Sequence, residues 1–195
     1  MDRSEVPEFH YITPVDNLPS IARYGLLSHN LVARLPHRSV ALAQVQDRRA
    51  GKQVPGGLQL HDYANLYFDA RNPMMSLLKY KGCNTIVVLR VSASIMDIKG
   101  AVISDGNAAC GTTRFFPSPA GLSELNKSLV YAEWWTDPNP FRKAELKRIR
   151  CAEILIPERV PVEFITGVLA ETNGHLKACR VAGFAGEVKR HVFFR

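Results

Sequence analysis

Long apolar segments and closely spaced cysteines are both missing from this sequence. No run approaches the roughly 18 apolar residues that a membrane span requires, and Met1–Glu5 mixes charges and carries no apolar signal core. The four cysteines lie far apart in the sequence, so no zinc-ligand spacing exists. These absences predict a cytosolic protein with reduced cysteines, no membrane association and no metal site.

The sequence also lacks the signature motifs of several enzyme classes. It contains no P-loop, no Gly-x-Gly-x-x-Gly turn and no His-Glu-x-x-His zinc motif. Ser118, which stands between two prolines, lacks the nucleophile elbow of the α/β-hydrolases. Kinase and hydrolase functions are therefore poorly supported.

The chain length and the net charge limit which domain organisations and which partners are possible. A chain of 195 residues is predicted to form one domain over 1–195 and to bury a substantial core. Its 25 Lys and Arg residues exceed its 18 Asp and Glu residues, which gives a net charge of +7. This balance favours a polyanionic partner such as nucleic acid, although many basic proteins bind none. Basic side chains crowd 34–52 and 142–150, and a solvated helix face is the alternative explanation of the second cluster.

Hydrophobic patterning predicts a mixed α+β chain with short strands and long loops. Strand patterns cover 9–13, 63–68, 84–91, 101–104, 151–156, 163–170 and 188–194. Helix patterns cover 18–24, 73–78 and 140–147, and a short helix fits within 39–50. The rest of 28–60 is poor in periodicity and contains Pro36, Pro55, Gly56 and Gly57, as long functional loops often do.

Glu153 is the first candidate for chemistry. It stands in the apolar segment Cys151-Ala152-Glu153-Ile154-Leu155-Ile156, whose other residues favour burial. A carboxylate inside such a strand is costly unless it faces a cleft or a partner. The alternative is that strand alternation turns Glu153 outward to water.

Further candidates stand in the first half of the chain. Arg48 and Arg49 either bind a phosphate or carboxylate through the guanidinium fork or are ordinary surface arginines. His10 and Thr13 share the first strand, on opposite faces by ordinary alternation, and a lone His is often structural. The polar and aromatic segment His61–Met74 either stacks a flat ring or forms an ordinary strand and capped helix.

Taken together, these segments resemble DarT, a family of DNA ADP-ribosyltransferase toxins. Ile12–Leu18 followed by Gly25-Leu26 is similar to the family's His-x-Thr-His-x-x-Asn-Leu opening. Ser39–Arg49 is similar to the segment that ends in the family's key arginine, and Pro55–Met74 to its most distinctive block. Ala152-Glu153-Ile154-Leu155 is similar to the Ala-Glu block that contains the catalytic glutamate.

The resemblance implies an ADP-ribosyltransferase fold, with two small packed β-sheets around an NAD cleft and with short peripheral helices and long loops. It implies transfer of ADP-ribose from NAD, with Glu153 and Arg49 as the catalytic residues and no metal. As nicotinamide leaves, positive charge develops at the ribose C1, and a nearby carboxylate stabilises that charge. The residues implied to bind NAD are His10, Thr13, Asn17, Leu18, His61 and Tyr67.

The acceptor that the family implies is a thymine or guanine base in single-stranded DNA. An unstacked base suits a basic groove with aromatic platforms. The residues implied to contact this DNA are Arg71, Met74, Arg114, Trp134, Arg148 and Arg150. The implied biological role is that of a toxin, a glycosyl- or nucleotidyl-transferase, whose partner is a macrodomain antitoxin.

Two alternatives stay open at this point. One keeps the NAD chemistry and changes the acceptor to RNA or protein, and the basic charge favours nucleic acid over protein only modestly. The other is a non-catalytic relative that binds nucleic acid or a partner, which the presence of Glu153 and Arg49 disfavours.

Overall fold

The computed structural model of the chain describes residues 1–194, which form a mixed sheet flanked by short helices. The strands are β1 Glu8–Pro14, β2 Leu26–Leu27, β3 Tyr63–Tyr67, β4 Ile86–Ser92, β5 Val102–Ser104, β6 Phe115–Pro117, β7 Glu153–Pro157, β8 Arg159–Val160, β9 Ile165–Ala170 and β10 Gly186–Val188. The α-helices are α1 Leu18–Tyr24, α2 His29–Val32, α3 Ala43–Ala50, α4 Pro73–Tyr80, α5 Lys127–Val130, α6 Pro140–Ile149 and α7 Asn173–Val181. Short 3₁₀ turns lie between several of these elements.

The main sheet consists of two halves that meet at one residue pair. Its strand order is β10-β9-β4-β1-β3-β7-β5-β6, and β2 and β8 form a separate two-stranded ribbon. Strands β1 and β4 pair along their whole length from Glu8 to Pro14, whereas β1 and β3 pair only at His10 and Tyr67. The two small sheets expected from the sequence are therefore these two halves, which diverge beyond the single pair. The mixture of short helices and strands confirms the expected α+β class.

The sheet is covered on both faces, which explains why the first four residues of β4, Ile86 to Leu89, are all apolar and buried. In β4, Val87, Leu89 and Val91 belong to one hydrophobic cluster with α1 and α7, and the alternate residues Ile86 and Val88 belong to a second cluster with α4. A strand that is buried on both faces reads as a continuous hydrophobic run rather than an alternating one. This burial fixes the scaffold on which the polar residues of the site are carried.

Most of the predicted elements are confirmed. The short elements β2, α2, β6, α5 and β8 were not predicted, and the largest differences lie in the C-terminal segment. The strand predicted over 188–194 is wrong, because β10 ends at Val188 and a 3₁₀ turn over Arg190–Val192 follows. Helix α7 was not predicted. It begins after Thr172, whose hydroxyl accepts a hydrogen bond from the His175 amide, and it buries Leu176 and Cys179, which lie three residues apart.

Within residues 1–194, no helix is long and apolar enough to cross a membrane. The same residues contain no group of three His, Cys, Asp or Glu side chains placed to hold a metal ion. All four cysteines are free thiols.

Candidate functional site

A cavity of about 300 Å³ opens where the two halves of the sheet diverge. Its walls come from β1, α3, β3, α4 and the first residue of β7, together with the loop 37–42 that precedes α3. Polar and aromatic side chains from these separate elements converge on one concave space, as ligand sites typically require.

Glu153 and Arg49 form a buried ion pair in this cavity. Glu153 begins β7, where it pairs with Tyr67 of β3 and Ser104 of β5, so the sheet fixes its position. Its side chain is 2% exposed, and the Arg49 Nη1 donates to Glu153 Oε2 at 3.1 Å. Two buried charges are tolerated only when they are paired and hydrogen-bonded. The expectation that Glu153 faces a cleft rather than water is met.

A backbone amide adds a second contact to the carboxylate. The Ala108 N–H donates to Glu153 Oε1 at 3.0 Å, and the Glu153 N–H donates to the Ser104 hydroxyl at 3.1 Å. The carboxylate therefore has fixed donors on both oxygens and little freedom to rotate. Such preorganised charge is what a reaction with a developing cation needs.

Three of the six residues expected to bind NAD line the cavity, namely Thr13, Asn17 and Tyr67. The Tyr67 hydroxyl donates to the Met74 sulfur at 2.8 Å, and burial raises the pKa of Tyr67, so the phenol stays protonated. The Asn17 amide donates to Thr13 Oγ1 at 3.1 Å. Thr13 and Asn17 therefore form one polar contact on the cavity wall, and Tyr67 with Met74 forms another.

The other three, His10, Leu18 and His61, do not line the cavity, so the structure does not bring them together with Glu153. The His10 Nε2 lies 3.1 Å from Glu8 Oε1, so the imidazole contacts a carboxylate of its own strand, β1. Leu18 is fully buried in the core cluster. His61 stacks on His29 with 4.0 Å between ring centroids, and it is His29 that reaches the cavity.

Asn17 has a further role in shaping the cavity. Its side-chain amide donates to the Arg38 carbonyl at 2.9 Å, and its side-chain oxygen accepts from the Arg38 N–H at 2.9 Å. This double contact holds the loop 37–42 against the start of α1 and places Arg38 on the cavity wall. A cation at this position is suited to a phosphate group.

The residues expected to contact DNA divide into an accessible set and an internal set. Met74 lines the cavity. The Arg71 guanidinium lies over the ring of Phe194 at 4.0 Å and over that of Trp134 at 5.5 Å. The Trp134 side chain is 58% exposed. Arg71, Trp134 and Phe194 form an accessible aromatic and cationic surface, which we call the platform.

Arg114, Arg148 and Arg150 differ sharply in accessibility. The Arg150 side chain is 1% exposed and pairs with Asp69 Oδ2 at 2.8 Å. Arg148 is 10% exposed and is shared between Asp105 and Glu145, at 2.6 and 2.7 Å. The expectation that these two arginines meet DNA phosphates is corrected, because their guanidinium groups are used inside the protein. Arg114 also pairs with Asp105 but stays 63% exposed.

Sequence reasoning missed several residues of the site. His29, Asn65 and Asn107 line the cavity, and the Ala108 amide contacts Glu153 through its backbone, which no side-chain pattern reveals. Asn65 had a usable signal, since it is a polar residue in the predicted strand 63–68. His29 directly follows Ser28, whose hydroxyl caps α2.

The chemistry available here is that of a carboxylate beside a developing positive charge. Cys151 also lines the cavity, but burial raises its pKa to about 12, so the thiol is protonated at neutral pH and is a poor nucleophile. Glu153 is the group best placed to stabilise a cation or to accept a proton.

Comparison with known proteins identifies this arrangement. The family model described as "ssDNA thymidine ADP-ribosyltransferase, DarT" matches residues 10–192. A DNA ADP-ribosyl transferase of Thermus sp. is 32% identical in an alignment of 169 positions that covers 80% of this chain and 78% of that protein. A DNA ADP-ribosyl transferase–glycohydrolase fusion protein of Thermosipho africanus is 31% identical over 83% of this chain, which spans only 42% of that relative's length.

Solved structures give the same result. Thermus sp. DarT in complex with ADP-ribosylated single-stranded DNA matches with a TM-score of 0.81 and 29% identity, over 97% of both chains. The same protein in complex with NAD⁺ matches with a TM-score of 0.77 and 27% identity, over 97% of this chain and 98% of that one. By sequence and by fold, the chain belongs to the DarT family of NAD-dependent ADP-ribosyltransferases.

Proposed function

We propose that this protein transfers ADP-ribose from NAD to a thymine base in single-stranded DNA. The observation that carries the proposal is the buried pair of Glu153 and Arg49 in the cavity between the sheet halves. Support for the substrates comes from the matching family model, whose description names thymidine in single-stranded DNA, and from relatives solved with NAD⁺ and with ADP-ribosylated DNA.

In the proposed reaction, the glycosidic bond between the ribose C1 and nicotinamide breaks, and nicotinamide leaves with the bonding electrons. A new bond forms between C1 and a ring nitrogen of the base, and that nitrogen loses its proton. The Glu153 carboxylate stabilises the positive charge at C1 and is the base available for the proton. Because the bond that changes is glycosidic, the enzyme is a glycosyltransferase rather than a nucleotidyltransferase.

The remaining cavity residues fit the parts of NAD. Arg38 offers a guanidinium to the pyrophosphate from a loop that Asn17 holds in place. Tyr67, the strand partner of Glu153, supplies an aromatic ring beside the carboxylate, where the nicotinamide ribose would react. Thr13 supplies a hydroxyl in the same cavity. Arg49 orients the Glu153 carboxylate through the buried ion pair.

For the DNA strand, the accessible surface beside the cavity offers Met74, the platform and Arg114. Base stacking on aromatic side chains and phosphate contacts from arginine are the two means by which single strands are bound. Arg148 and Arg150 act behind this surface, where they hold its loops to the sheet.

The biological role follows from the chemistry of the product. A base that carries ADP-ribose blocks copying of the strand, so we propose that the protein is the toxin of a toxin–antitoxin pair and acts in the cytoplasm. The fused glycohydrolase of the Thermosipho africanus relative supports a partner macrodomain that removes the mark. We further propose that 1–195 is a single catalytic domain, because the strands of one sheet are spread along the chain from Glu8 to Val188.

The acceptor can be established with labelled NAD and a set of oligonucleotides. The set contains single strands with and without thymine, single strands with and without guanine, the matched duplex and an RNA of the same sequence. Label only on the thymine-containing single strand supports the proposal. Label only on guanine-containing strands would show that guanine is the modified base. Label on RNA or on protein would show that the acceptor is not single-stranded DNA, and no label on any of them contradicts the proposal.

A further inference from the structure

Lys52 holds the loop that contacts the catalytic carboxylate, although its own side chain does not touch that carboxylate. The Lys52 ammonium donates to the carbonyl oxygen of Ala108 at 2.8 Å and also to that of Cys110. It lies 5.0 Å from the ring centroid of Phe115, which adds a cation–π contact. Two carbonyls two residues apart are thus bound by one cation.

The backbone of Lys52 is itself fixed close to the catalytic pair. Its N–H donates to the Arg49 carbonyl at 3.1 Å, just past the end of α3, and its carbonyl accepts from the Leu60 N–H at 2.8 Å. Arg49 and Lys52 therefore leave the same helix end. Arg49 reaches Glu153 directly, and Lys52 reaches the turn over 107–110 that supplies the Ala108 amide to Glu153.

The opposite side of this turn has its own anchor. The Asn107 N–H donates to the Arg148 carbonyl at 2.9 Å, and the Thr113 hydroxyl donates to the Asn107 carbonyl at 2.7 Å. Arg148 fixes Asp105 at the start of the loop. These contacts hold the outer side of the turn, whereas Lys52 reaches the carbonyls of Ala108 and Cys110 from the end of α3.

We infer that Lys52 is a positioning residue for ADP-ribosyl transfer, because its ammonium group fixes the 107–110 turn so that the Ala108 amide orients the Glu153 carboxylate. The inference deepens the proposed function and rests on it. Partial burial lowers the pKa of Lys52, yet the two carbonyl acceptors suit the charged form, since only an ammonium has enough donors for both and for water.

Loss of this anchor should affect the chemical step more than NAD binding. The carboxylate acts on the transition state, and a small misplacement of such a group costs rate, whereas the groups that contact the rest of NAD stay in place. We expect Lys52→Met to lower kcat about tenfold or more and to leave KM for NAD within about twofold. Lys52→Arg should recover most of kcat, because a guanidinium can also donate to two carbonyls.

The experiment compares wild type, Lys52→Met, Lys52→Arg and the matched control Lys99→Met, which removes an exposed ammonium. It measures kcat and KM for NAD on single-stranded DNA. It also measures amide hydrogen exchange of the segment 105–114, a readout that does not depend on activity. Faster exchange and lower kcat in Lys52→Met alone support the inference.

Unchanged kcat in Lys52→Met overturns the inference, and so does a loss that Lys52→Arg does not reduce or that equals the loss of NAD affinity. Unchanged amide hydrogen exchange of 105–114 in Lys52→Met would show that Lys52 does not anchor the turn, even if kcat falls. If wild type modifies no acceptor while exchange responds as expected, the anchor exists and the proposed function has failed, so the two failures are distinguishable.

Discussion

At the scale of single residues, the burial of Glu153 beside Arg49 sets the chemistry of the cavity. Both side chains are nearly inaccessible, at 2% and 7% exposure. An ion pair in this environment contributes little net stability, because desolvation offsets attraction, but removal of one partner leaves an uncompensated charge. The pair is better explained as a preorganised reactive group than as a device for stability.

Replacement of Arg49 should therefore damage both activity and stability. We expect Arg49→Ala to lower kcat/KM by about 100-fold or more and to destabilise the fold by about 3 kcal/mol. Kinetics and denaturant unfolding measure the two effects. The matched control is Arg48→Ala, since Arg48 is the exposed neighbour, and it should change neither quantity appreciably.

The double variant Arg49→Ala with Glu153→Gln separates the two causes. A neutral amide no longer leaves a buried charge, so the double variant should be more stable than Arg49→Ala alone. Equal stability of the two variants would show that Arg49 does not compensate the charge of Glu153.

Asp105 gives a prediction about pH. Burial raises its pKa, but this is outweighed by hydrogen bonds from the Arg114 backbone and side chain and from Arg148, so the folded pKa lies below its ordinary 3.8. A lowered folded pKa contributes stability that is present above the unfolded pKa and is lost as the pH falls through the folded value. Asp105→Asn should cost about 2 kcal/mol at neutral pH.

The cost of Asp105→Asn should persist down to pH values near 3.8 and vanish only below that range. Urea unfolding of wild type and variant at several pH values measures the difference, with the exposed Asp47→Asn as the control. A difference that disappears already near neutral pH would show that Asp105 is not held ionised by Arg114 and Arg148.

At the scale of elements, the apolar strands were predictable and the internal ion pairs were not. The runs in β4 and β7 follow from burial on both faces of a sheet, and Asn72 before Pro73 marked the start of α4. Local pattern does not reveal whether an arginine such as Arg150 points outward or pairs with Asp69, because the partner lies 81 residues away. The resemblance to a family supplied Glu153 and Arg49, which the residues alone left open.

The loop over 105–114 is a second region whose contacts could not be predicted from the local sequence. Its glycine at 106 has no special dihedral, yet an added Cβ would lie 2.4 Å from the Arg148 guanidinium, so close packing requires the glycine. The contacts that make this loop part of the site run through the Ala108 amide and through Lys52, and neither has a sequence signature.

The platform is the element whose role can be isolated most cleanly. Trp134 is 58% exposed, so Trp134→Ala should leave stability almost unchanged. If a base stacks on its ring, single-stranded DNA binding should weaken by about 1–3 kcal/mol, or roughly 5- to 150-fold. Fluorescence anisotropy with a labelled oligonucleotide measures this, with Tyr80→Ala as the control, since Tyr80 is 90% exposed on α4.

At the scale of the whole molecule, the net charge of +7 favours an anionic partner. Arg148 and Arg150 form ion pairs inside the protein, so the positive surface charge available to DNA is smaller than the net charge suggests. We expect roughly three phosphate contacts, which corresponds to a fall in affinity of roughly 20-fold between about 50 and about 200 mM salt.

Arg114→Ala should reduce the slope of log affinity against log salt concentration by about 0.7. The reason is that the Arg114 guanidinium stays exposed although it pairs with Asp105. Titrations at several salt concentrations provide the slopes. A slope near zero for wild type would contradict phosphate-driven binding, and an unchanged slope in Arg114→Ala would remove Arg114 from the interface.

The central claim is that the buried Glu153 in this cavity carries ADP-ribosyl transfer to single-stranded DNA. The most direct test incubates the protein with NAD and a thymine-containing oligonucleotide and determines the intact mass of the strand. The account predicts the gain of one or more ADP-ribose units with wild type and with Arg48→Ala, and no gain with folded Glu153→Gln. Equal modification by Glu153→Gln, or none by wild type, would contradict it.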